Sequence, residues 1–206
     1  DIVSNPEFLR EGSAIEDFMR PDRVIVGAEN NKSKKIMSEL YRPLFLLETP
    51  ILYTSLETSE LIKYASNAFL ALKITYINQI ADLCERLGTN IDDVSKGMGL
   101  DKRIGSKFLH AGPGYGGSCF PKDTMALVKT ANEKNYSLSL VQKTIEFNSL
   151  RKINIIKKIE SVFGSLKGKK VSILGLAFKP QTDDMRESPS INIIKDLLKQ
   201  KLKIVV

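Results

Sequence analysis

The sequence predicts an α/β protein with an all-helical middle, in which two truncated α/β layers flank a helical module. Two observations predict this order. Short apolar runs typical of buried strands lie near both ends of the chain, whereas residues 58–163 show mainly helical spacing of apolar residues. The chain has 206 residues and 42% hydrophobic content, which is sufficient for a packed core. We divide it into residues 1–55, 56–163 and 164–206.

The first part, residues 1–55, has the pattern of a fragment of an α/β layer. Residues 23–27 are predicted to form a short buried strand, residues 32 to about 45 an amphipathic helix, and residues 51–54 a second strand. Residues 7–12 have a helix-like pattern. The chain begins without Met, as though inside a domain.

The middle part opens with a long helical pattern over residues 58–87, which Gly88 is expected to stop. Between Lys63 and Asp82 its only charged residue is Lys73. A helix that is apolar nearly all round must be buried in a larger helical domain or against another subunit. This helix is therefore a candidate dimerisation element.

Three further helices complete the middle part. Asn90 is suited to cap a short helix, and residues 119–134 and 138–163 are predicted to form two longer ones.

The last part, residues 164–206, is predicted to be a βαβ unit cut off at its second strand. Residues 170–176 form a buried strand pattern, Ser188 and Pro189 start a helix that runs to about Lys201, and residues 202–206 form the second strand.

Composition excludes several classes of protein. The net charge of +7 permits an anionic partner, but the lysines are scattered and lack an aromatic platform, so we expect no nucleic acid. No apolar run approaches the roughly 18 residues of a membrane span, and the start lacks the pattern of a signal peptide. We expect a soluble cytoplasmic protein without a metal site. Its two cysteines, Cys84 and Cys119, form no disulfide framework, and Cys84 is expected to be a buried, inert thiol.

The second cysteine, Cys119, has an unusual context, because four glycines precede it and a helix is predicted to start there. Backbone N–H groups at a helix N-terminus stabilise a thiolate, and Lys122 adds a positive charge nearby. Glycines let the backbone approach a ligand closely. The alternative is a structural cysteine that is simply buried after a turn.

Three pairs of polar residues repeat a spacing of four, which places both members on one helical face. Asp123 follows the cysteine at this spacing and suits a role in holding water or a proton, although it is also an ordinary first-turn carboxylate. Lys63 and Asn67 lie in the apolar helix, where burial of a cation and an amide on one face needs a reason. The alternative is that the lysine side chain extends to solvent near the end of the helix. Glu7 and Glu11 alternatively form a solvated helix face.

Five segments resemble, in order, the motifs of the UDP-glucose/GDP-mannose dehydrogenase family. They are NPEFLREG (residues 5–12), KYASNAF (63–69), RIGSKFL (103–109), GYGGSCFPKD (114–123) and GLAFK (175–179). Within that family, residues 20–27 look most like the branch that oxidises UDP-glucose, UDP-glucose 6-dehydrogenase. Each motif is moderately specific, and their common order makes coincidence very unlikely.

The resemblance implies a domain assignment. Residues 1–55 match the C-terminal part of a Rossmann-like NAD-binding domain, residues 56–163 a helical dimerisation domain, and residues 164–206 the start of a Rossmann-like UDP-binding domain. The first strand of the NAD-binding domain and the dinucleotide fingerprint that follows it are not among these residues. We therefore expect the 206 residues alone to bind NAD weakly or not at all.

The resemblance also implies the chemistry. The C6 alcohol of a UDP-sugar is oxidised twice with NAD as cofactor, through a thiohemiacetal and a thioester formed on Cys119. Lys63 and Asn67 are then the groups that stabilise the oxyanion, while Asp123 holds a water and Glu7 serves as acid and base in thioester hydrolysis.

Further residues are assigned to binding by the same resemblance. Substrate contacts are expected from Phe8, Leu9, Arg10, Glu11, Arg103, His110, Gly112, Gly114, Tyr115, Gly116, Phe178 and Lys179. Arg103 is expected to reach a neighbouring subunit's site, so the protein is predicted to be a homodimer or a higher homo-oligomer. NAD contacts are expected from Glu11, Lys122 and Arg186. The acidic residues that flank the arginine are expected to orient it: Asp183, Asp184 and Glu187.

Two other functions remain open at this point. One is a dehydrogenase of another nucleotide sugar, such as GDP-mannose or a UDP-N-acetyl-hexosamine. The other is a non-catalytic helical dimerisation module, although such a module needs neither a reactive cysteine nor Lys63, Asn67 and Asp123.

Overall fold

The computed structural model describes residues 1–45 and 49–205, which form two compact units, Asp1–Ser66 and Asn67–Val206. The predicted arrangement of an α/β layer, a helical middle and a second α/β layer is confirmed. In the part of the chain that is described, no helix has the length and apolar character needed to cross a membrane.

The first unit contains a three-stranded sheet in the order β1 (Val3–Ser4), β2 (Val24–Ala28) and β3 (Ile51–Thr54). Strand β2 pairs parallel with β3 and antiparallel with β1. Every residue of β2 is buried, as its run of β-branched residues predicts. The short strand β1 was not predicted from the sequence, because two residues carry no periodic signal.

The helices of this unit are α1 (Ala14–Met19), α2 (Asn31–Leu40) and α3 (Arg42–Phe45). The helix predicted over residues 32–45 is thus interrupted at Tyr41. Pro43 explains the interruption, because its ring lacks an N–H and clashes with the carbonyl four residues earlier. The side chain of Asn30 caps α2 by accepting the Ser33 N–H at 2.8 Å.

The helix-like interpretation of residues 7–12 is wrong, because this segment is irregular and the helix begins only at Ala14. Side chains take the backbone N–H groups that a helix would use. Glu7 Oε2 accepts the Leu9 N–H at 2.6 Å, and Asp17 Oδ2 accepts the Arg10 N–H at 2.8 Å. Glu7 and Glu11 therefore do not share a helical face.

The long helix α4 (Leu56–Leu87) runs across the boundary between the two units. One face is buried and includes Ala71, Ile77 and Cys84, so the prediction of a buried Cys84 is confirmed. A second face leaves large apolar side chains exposed: Phe69, Tyr76, Leu83 and Leu87. Burial inside the chain thus accounts for only part of the apolar character of α4.

The remaining helices of the middle part are α5 (Ile91–Gly99), α6 (Phe120–Glu133) and α7 (Ser139–Phe163), close to the predicted bounds. Asn90 caps α5 as predicted, since its side chain accepts the Asp92 N–H at 2.9 Å.

The last part forms β4 (Lys170–Ser172), α8 (Pro189–Lys199) and β5 (Lys203–Val205), with β4 and β5 parallel. A core of Ile156, Leu166, Leu197 and Leu202 joins α7 to this layer. The strand predicted over residues 170–176 is shorter than expected: it ends at Ser172, which pairs with Val205 at the end of β5, and Gly175 adopts a φ of +89° outside the strand region. Leu174 is 95% exposed and not buried. Val206, the last residue of the second predicted strand, lies outside the described residues.

Candidate active site around Cys119

Cys119 occupies the N-cap position of α6, so the predicted placement of this thiol at a helix start is confirmed. Pro121 lies in the first turn, where its missing N–H costs no helical hydrogen bond. The cysteine is half-buried, and its Sγ atom lies 3.6 Å from Ser118 Oγ. Partial exposure beside the positive end of a helix dipole is the environment of a reactive cysteine.

Asp123 lies one turn into α6, where its N–H donates to the Cys119 carbonyl at 2.8 Å. Its side chain is buried, with 2% of the residue exposed. Oδ2 accepts a hydrogen bond from Asn67 Nδ2 of α4 at 2.6 Å, and Lys122 Nζ lies 3.4 Å from Oδ1. The structure therefore brings Asn67 and Asp123 together one turn from the thiol.

Lys63 and Glu7 meet in the first unit. Lys63 Nζ donates to the Glu7 carbonyl oxygen at 2.6 Å and lies 3.1 Å from Glu7 Oε1. It also lies 5.5 Å from the centroid of the Phe8 ring, which Arg23 covers at 3.9 Å. The lysine thus binds protein groups and does not simply extend into solvent. Two of the predicted catalytic residues, Glu7 and Lys63, form one cluster.

The neighbouring Arg10 binds within its own segment. Its guanidinium forms an ion pair with Asp17 of α1 at 2.6 Å, and this hydrogen bond raises the pKa of Arg10. Its predicted contact with substrate stays a prediction, as do those of Leu9 and Glu11.

Side chains of α4 and α7 hold the loop of residues 110–118. The Gly112 N–H donates to Asn78 Oδ1 at 2.8 Å, and the Tyr115 N–H donates to Asn148 Oδ1 at 2.8 Å. Arg151 Nε donates to the Gly112 carbonyl at 2.9 Å. None of these three α4 and α7 residues was predicted. The only signal in the sequence is that each is a polar residue on a buried helical face.

Tyr115 is buried against α6, where its ring packs edge-on to Phe120 at a centroid distance of 6.1 Å. Burial raises the pKa of its hydroxyl, and a hydrogen bond with Thr124 opposes this effect. His110 is exposed, consistent with its interpretation as a loop residue.

Close packing within the chain explains three of the four glycines before Cys119. A Cβ on Gly114 would lie 2.7 Å from Asn148 Oδ1, one on Gly116 2.4 Å from the Glu187 carbonyl oxygen, and one on Gly117 2.8 Å from the Phe178 ring. The sequence pattern suggested a role in approaching a ligand. In the structure these glycines first of all let the loop pack against its own chain.

The segment after β4 also contacts this loop. The Gly117 N–H donates to the Arg186 carbonyl at 2.8 Å, and the Arg186 guanidinium pairs with Asp184 at 2.9 Å. Of the three acidic residues expected to orient Arg186, Asp184 is thus one that pairs with it. Lys179 Nζ lies 5.4 Å from the centroid of the Phe178 ring.

Arg103 lies apart from these contacts, in the turn after α5. It pairs with Asp101 at 2.6 Å, and this contact lowers the pKa of the Asp101 carboxyl. Its side chain is 90% exposed. In the described residues, no group of three or more His, Cys, Asp or Glu side chains is arranged to hold a metal ion.

The fold and the cysteine loop define a class of protein, since models of three consecutive domains of one family match the chain in order. These are the NAD binding domain over residues 1–45, the central domain over 57–150 and the UDP binding domain over 172–206. The chain belongs to the UDP-glucose/GDP-mannose dehydrogenase family.

Similar proteins within the family carry a more particular name. The chain is 58% identical over 199 residues to the UDP-glucose 6-dehydrogenase of Rhizobium meliloti (strain 1021), which covers 95% of this chain and 46% of that protein. It is 51% identical over 205 residues to the UDP-glucose 6-dehydrogenase of Rickettsia felis, covering 99% of this chain and 46% of that protein. The chain thus spans about half the length of the curated relatives it matches.

Among solved structures, a UDP-glucose dehydrogenase from the hyperthermophilic archaeon Pyrobaculum islandicum matches with a TM-score of 0.94 and 40% identity. The match covers 98% of this chain and 46% of that chain.

Proposed function

We propose that the protein containing this chain is an NAD-dependent UDP-glucose 6-dehydrogenase that converts UDP-glucose to UDP-glucuronate. The observation that carries this proposal is the arrangement at the start of α6. A half-buried thiol occupies the N-cap, and one turn later a buried carboxylate binds an amide from α4. A purely structural helical module has no need for this set of groups.

Cys119 supplies the covalent chemistry in this proposal. After the first oxidation, its thiolate adds to C6 of the aldehyde and forms a C–S bond, and the oxygen takes up a proton to give a thiohemiacetal. Loss of a hydride and a proton then gives a thioester. Water adds to the thioester carbon, the C–S bond breaks, and the products are a carboxylate and the free thiol.

Asn67 and Lys63 both have hydrogen-bond donors to offer to the oxyanion at C6. The amide nitrogen of Asn67 has two protons, of which one binds Asp123. The ammonium of Lys63 has three, and its recorded bonds go to Glu7. We assign Asp123 to holding the water and Glu7 to the acid and base work on it, as the resemblance implies.

Two of the three residues assigned to NAD, Lys122 and Arg186, carry a positive charge that fits an anionic cofactor. The ammonium of Lys122 is largely exposed beside the N-terminus of α6, and the guanidinium of Arg186 is largely exposed while Asp184 orients it. Both are suited to a pyrophosphate. When bound, NAD supplies the hydride acceptor. We assign the binding of the sugar and its phosphates to residues 110–116, and the binding of the uridine side to Phe178 and Lys179.

We further propose that the protein is a homodimer or a higher homo-oligomer in which α4 forms the subunit contact. Its exposed apolar face would be buried against a second subunit. Arg103, which is exposed and pairs with Asp101, is then the residue that we expect to reach a second subunit. Residues 1–55, 56–163 and 164–206 are the domains that this assignment requires.

The test is substitution of Cys119 by Ser in the complete protein. A hydroxyl is much harder to ionise than a thiol and a poorer leaving group, so the second oxidation should stop. NADH formation and UDP-glucuronate are measured with UDP-glucose as substrate. Cys84→Ala is the matched control, because it removes the buried cysteine of α4 and should leave turnover intact.

Two results would contradict the proposal. Normal UDP-glucuronate production by Cys119→Ser refutes the role of the thiol. The choice of UDP-glucose as substrate is refuted if the unsubstituted protein does not oxidise it but oxidises GDP-mannose or a UDP-N-acetyl-hexosamine.

A further inference from the structure

The loop that leads to Cys119 is held by side chains at two of its residues. The Gly112 N–H donates to Asn78 Oδ1 at 2.8 Å, and its carbonyl accepts from Arg151 Nε at 2.9 Å. The Tyr115 N–H donates to Asn148 Oδ1 at 2.8 Å, and its carbonyl accepts from Asn148 Nδ2 at 3.1 Å. Side chains of α4 and α7 therefore help to set the path of this loop.

Arg151 of α7 is a buried residue that contacts both the loop and α4. Besides the Gly112 carbonyl, its guanidinium donates to the Asn78 backbone carbonyl of α4 at 3.0 Å and pairs with the carboxylate of Asp82. The Arg151 side chain is buried. A buried guanidinium must have its N–H groups bound, and its rigid fork reaches several acceptors at fixed positions. The loop carbonyl is thus one of the acceptors that this charge requires.

Helix-to-helix attachment alone does not account for Arg151. Lys158, two turns further along α7, also pairs with Asp82 at 3.2 Å and with Glu85 at 2.6 Å. This lysine already supplies ion pairs between α7 and α4. Arg151 adds to them its bonds to the Asn78 and Gly112 carbonyls, and the second of these reaches the loop.

We propose that Arg151 is a positioning residue for Cys119. By linking Gly112 to α4, Arg151 fixes the path of the loop that leads into α6. The proposal rests on the proposed role of Cys119 as the nucleophile. A displacement of about 1 Å caused by a substitution far from the reacting atoms can lower a rate by roughly 10²-fold. Arg151 makes no contact with substrate in this proposal and acts through the loop alone.

The test compares Arg151→Met with Lys158→Met in the complete protein. Both variants remove a cation that pairs with Asp82, and Arg151→Met also removes the bonds to the Gly112 and Asn78 carbonyls. Three quantities are measured: kcat and KM for UDP-glucose, the midpoint of thermal unfolding, and the rate of Cys119 alkylation by iodoacetamide without cofactor or sugar. Mass spectrometry of the peptide that contains Cys119 follows the alkylation.

We expect Arg151→Met to lower kcat by about 10-fold to 10²-fold with KM changed by less than about twofold, and to change the alkylation rate at least about fivefold. Lys158→Met should leave both within about twofold of the unsubstituted protein. Arg151→Lys should give intermediate values, since one ammonium cannot replace the fork.

A lowered unfolding midpoint in Arg151→Met together with unchanged kcat and alkylation overturns the proposal, because Arg151 is then only structural. If Arg151→Met does not fold, Arg151→Lys takes its place, and unchanged values in that variant overturn the proposal equally. If the protein does not oxidise UDP-glucose, the proposed function fails. The alkylation rate, which needs no turnover, then decides on Arg151 alone.

Discussion

Gly116 shows how a single residue sets the shape of the cysteine loop. A Cβ at this position would lie 2.4 Å from the Glu187 carbonyl oxygen and 2.9 Å from its carbonyl carbon. Backbone atoms cannot give way as the end of a flexible side chain can, so any larger residue forces the two segments apart.

We therefore predict that Gly116→Ala lowers the free energy of unfolding by roughly 1–3 kcal/mol and reduces dehydrogenase activity. Gly97→Ala in α5 is the control, because apart from its chain neighbours and its own helix no described atom lies within 4 Å of a Cβ placed there. Chemical denaturation and NADH formation measure both effects. Equal behaviour of the two variants would show that the contact with Glu187 does not constrain the loop.

Lys152 is a buried cation on α7 whose charged form is disfavoured. Burial lowers its pKa from the ordinary 10.5, and the nearby charge of Glu187 opposes this shift. Between the lowered pKa and 10.5, the unfolded chain binds more protons than the native protein, so stability rises with pH in that window. Below that window, where the native protein also keeps the proton, the full cost of the buried charge is present.

We predict that Lys152→Met raises the free energy of unfolding at neutral pH, by roughly 1 kcal/mol, because an apolar side chain of similar length replaces the ammonium. The variant should also lose the rise in stability towards pH 10.5. Chemical denaturation at a series of pH values measures this, with the exposed Lys157→Met of the same helix as control. Lower stability of Lys152→Met at neutral pH would mean that the ammonium stabilises the fold.

The residues of the site differ in how far the sequence predicts them. Cys119 and Asp123 stand out because glycines and a one-turn spacing are local signals. The side chains that bind the loop lie 33 to 39 residues from their loop partners in the sequence: Asn78, Asn148 and Arg151. No local sequence pattern encodes such pairs. A single sequence shows that they are polar residues on helices, and only the fold shows that they meet the loop.

At the level of elements, α4 is predicted well because its apolar spacing is long and regular, whereas residues 7–12 are not. Residues 7–12 form no helix because the carboxylates of Glu7 and Asp17 accept backbone N–H groups of this segment. Short segments of this kind give side chains more influence than periodicity.

The exposed apolar face of α4 repeats every seven residues at Phe69, Tyr76 and Leu83. This repeat is typical of a helix that packs against another helix. Phe69, which is 61% exposed, should lie within the contact between subunits if α4 joins them.

We predict that Phe69→Glu in the complete protein weakens self-association at least about tenfold, because a charge would be buried in an apolar contact. Sedimentation velocity over a dilution series measures the change. Tyr136→Glu, which alters an exposed aromatic residue outside α4, is the control and should not change the mass. An unchanged oligomer in Phe69→Glu would exclude this face as the interface.

At the scale of the whole molecule, the groups that we propose to bind an anionic cofactor are divided along the chain. Lys122 lies on α6 and Arg186 on the segment between β4 and α8, whereas the match to the NAD binding domain covers residues 1–45. These 206 residues correspond to 46% of the Rhizobium meliloti relative. In a Rossmann domain the pyrophosphate binds at the helix N-terminus after the first strand, which the family resemblance assigns to a part outside these residues.

We therefore predict that the 206-residue polypeptide binds NAD at least about tenfold more weakly than the complete protein, since the resemblance places the main pyrophosphate site outside these residues. Isothermal titration calorimetry of both proteins with NAD measures the difference, and circular dichroism verifies that the shorter polypeptide is folded. Lys122→Met in the complete protein should weaken binding less than this, because a largely exposed lysine adds one contact to a site made mostly by backbone N–H groups. Equal affinity of the short and complete proteins would mean that the NAD site lies within these 206 residues. Lys122 and Arg186 would then be its principal contacts.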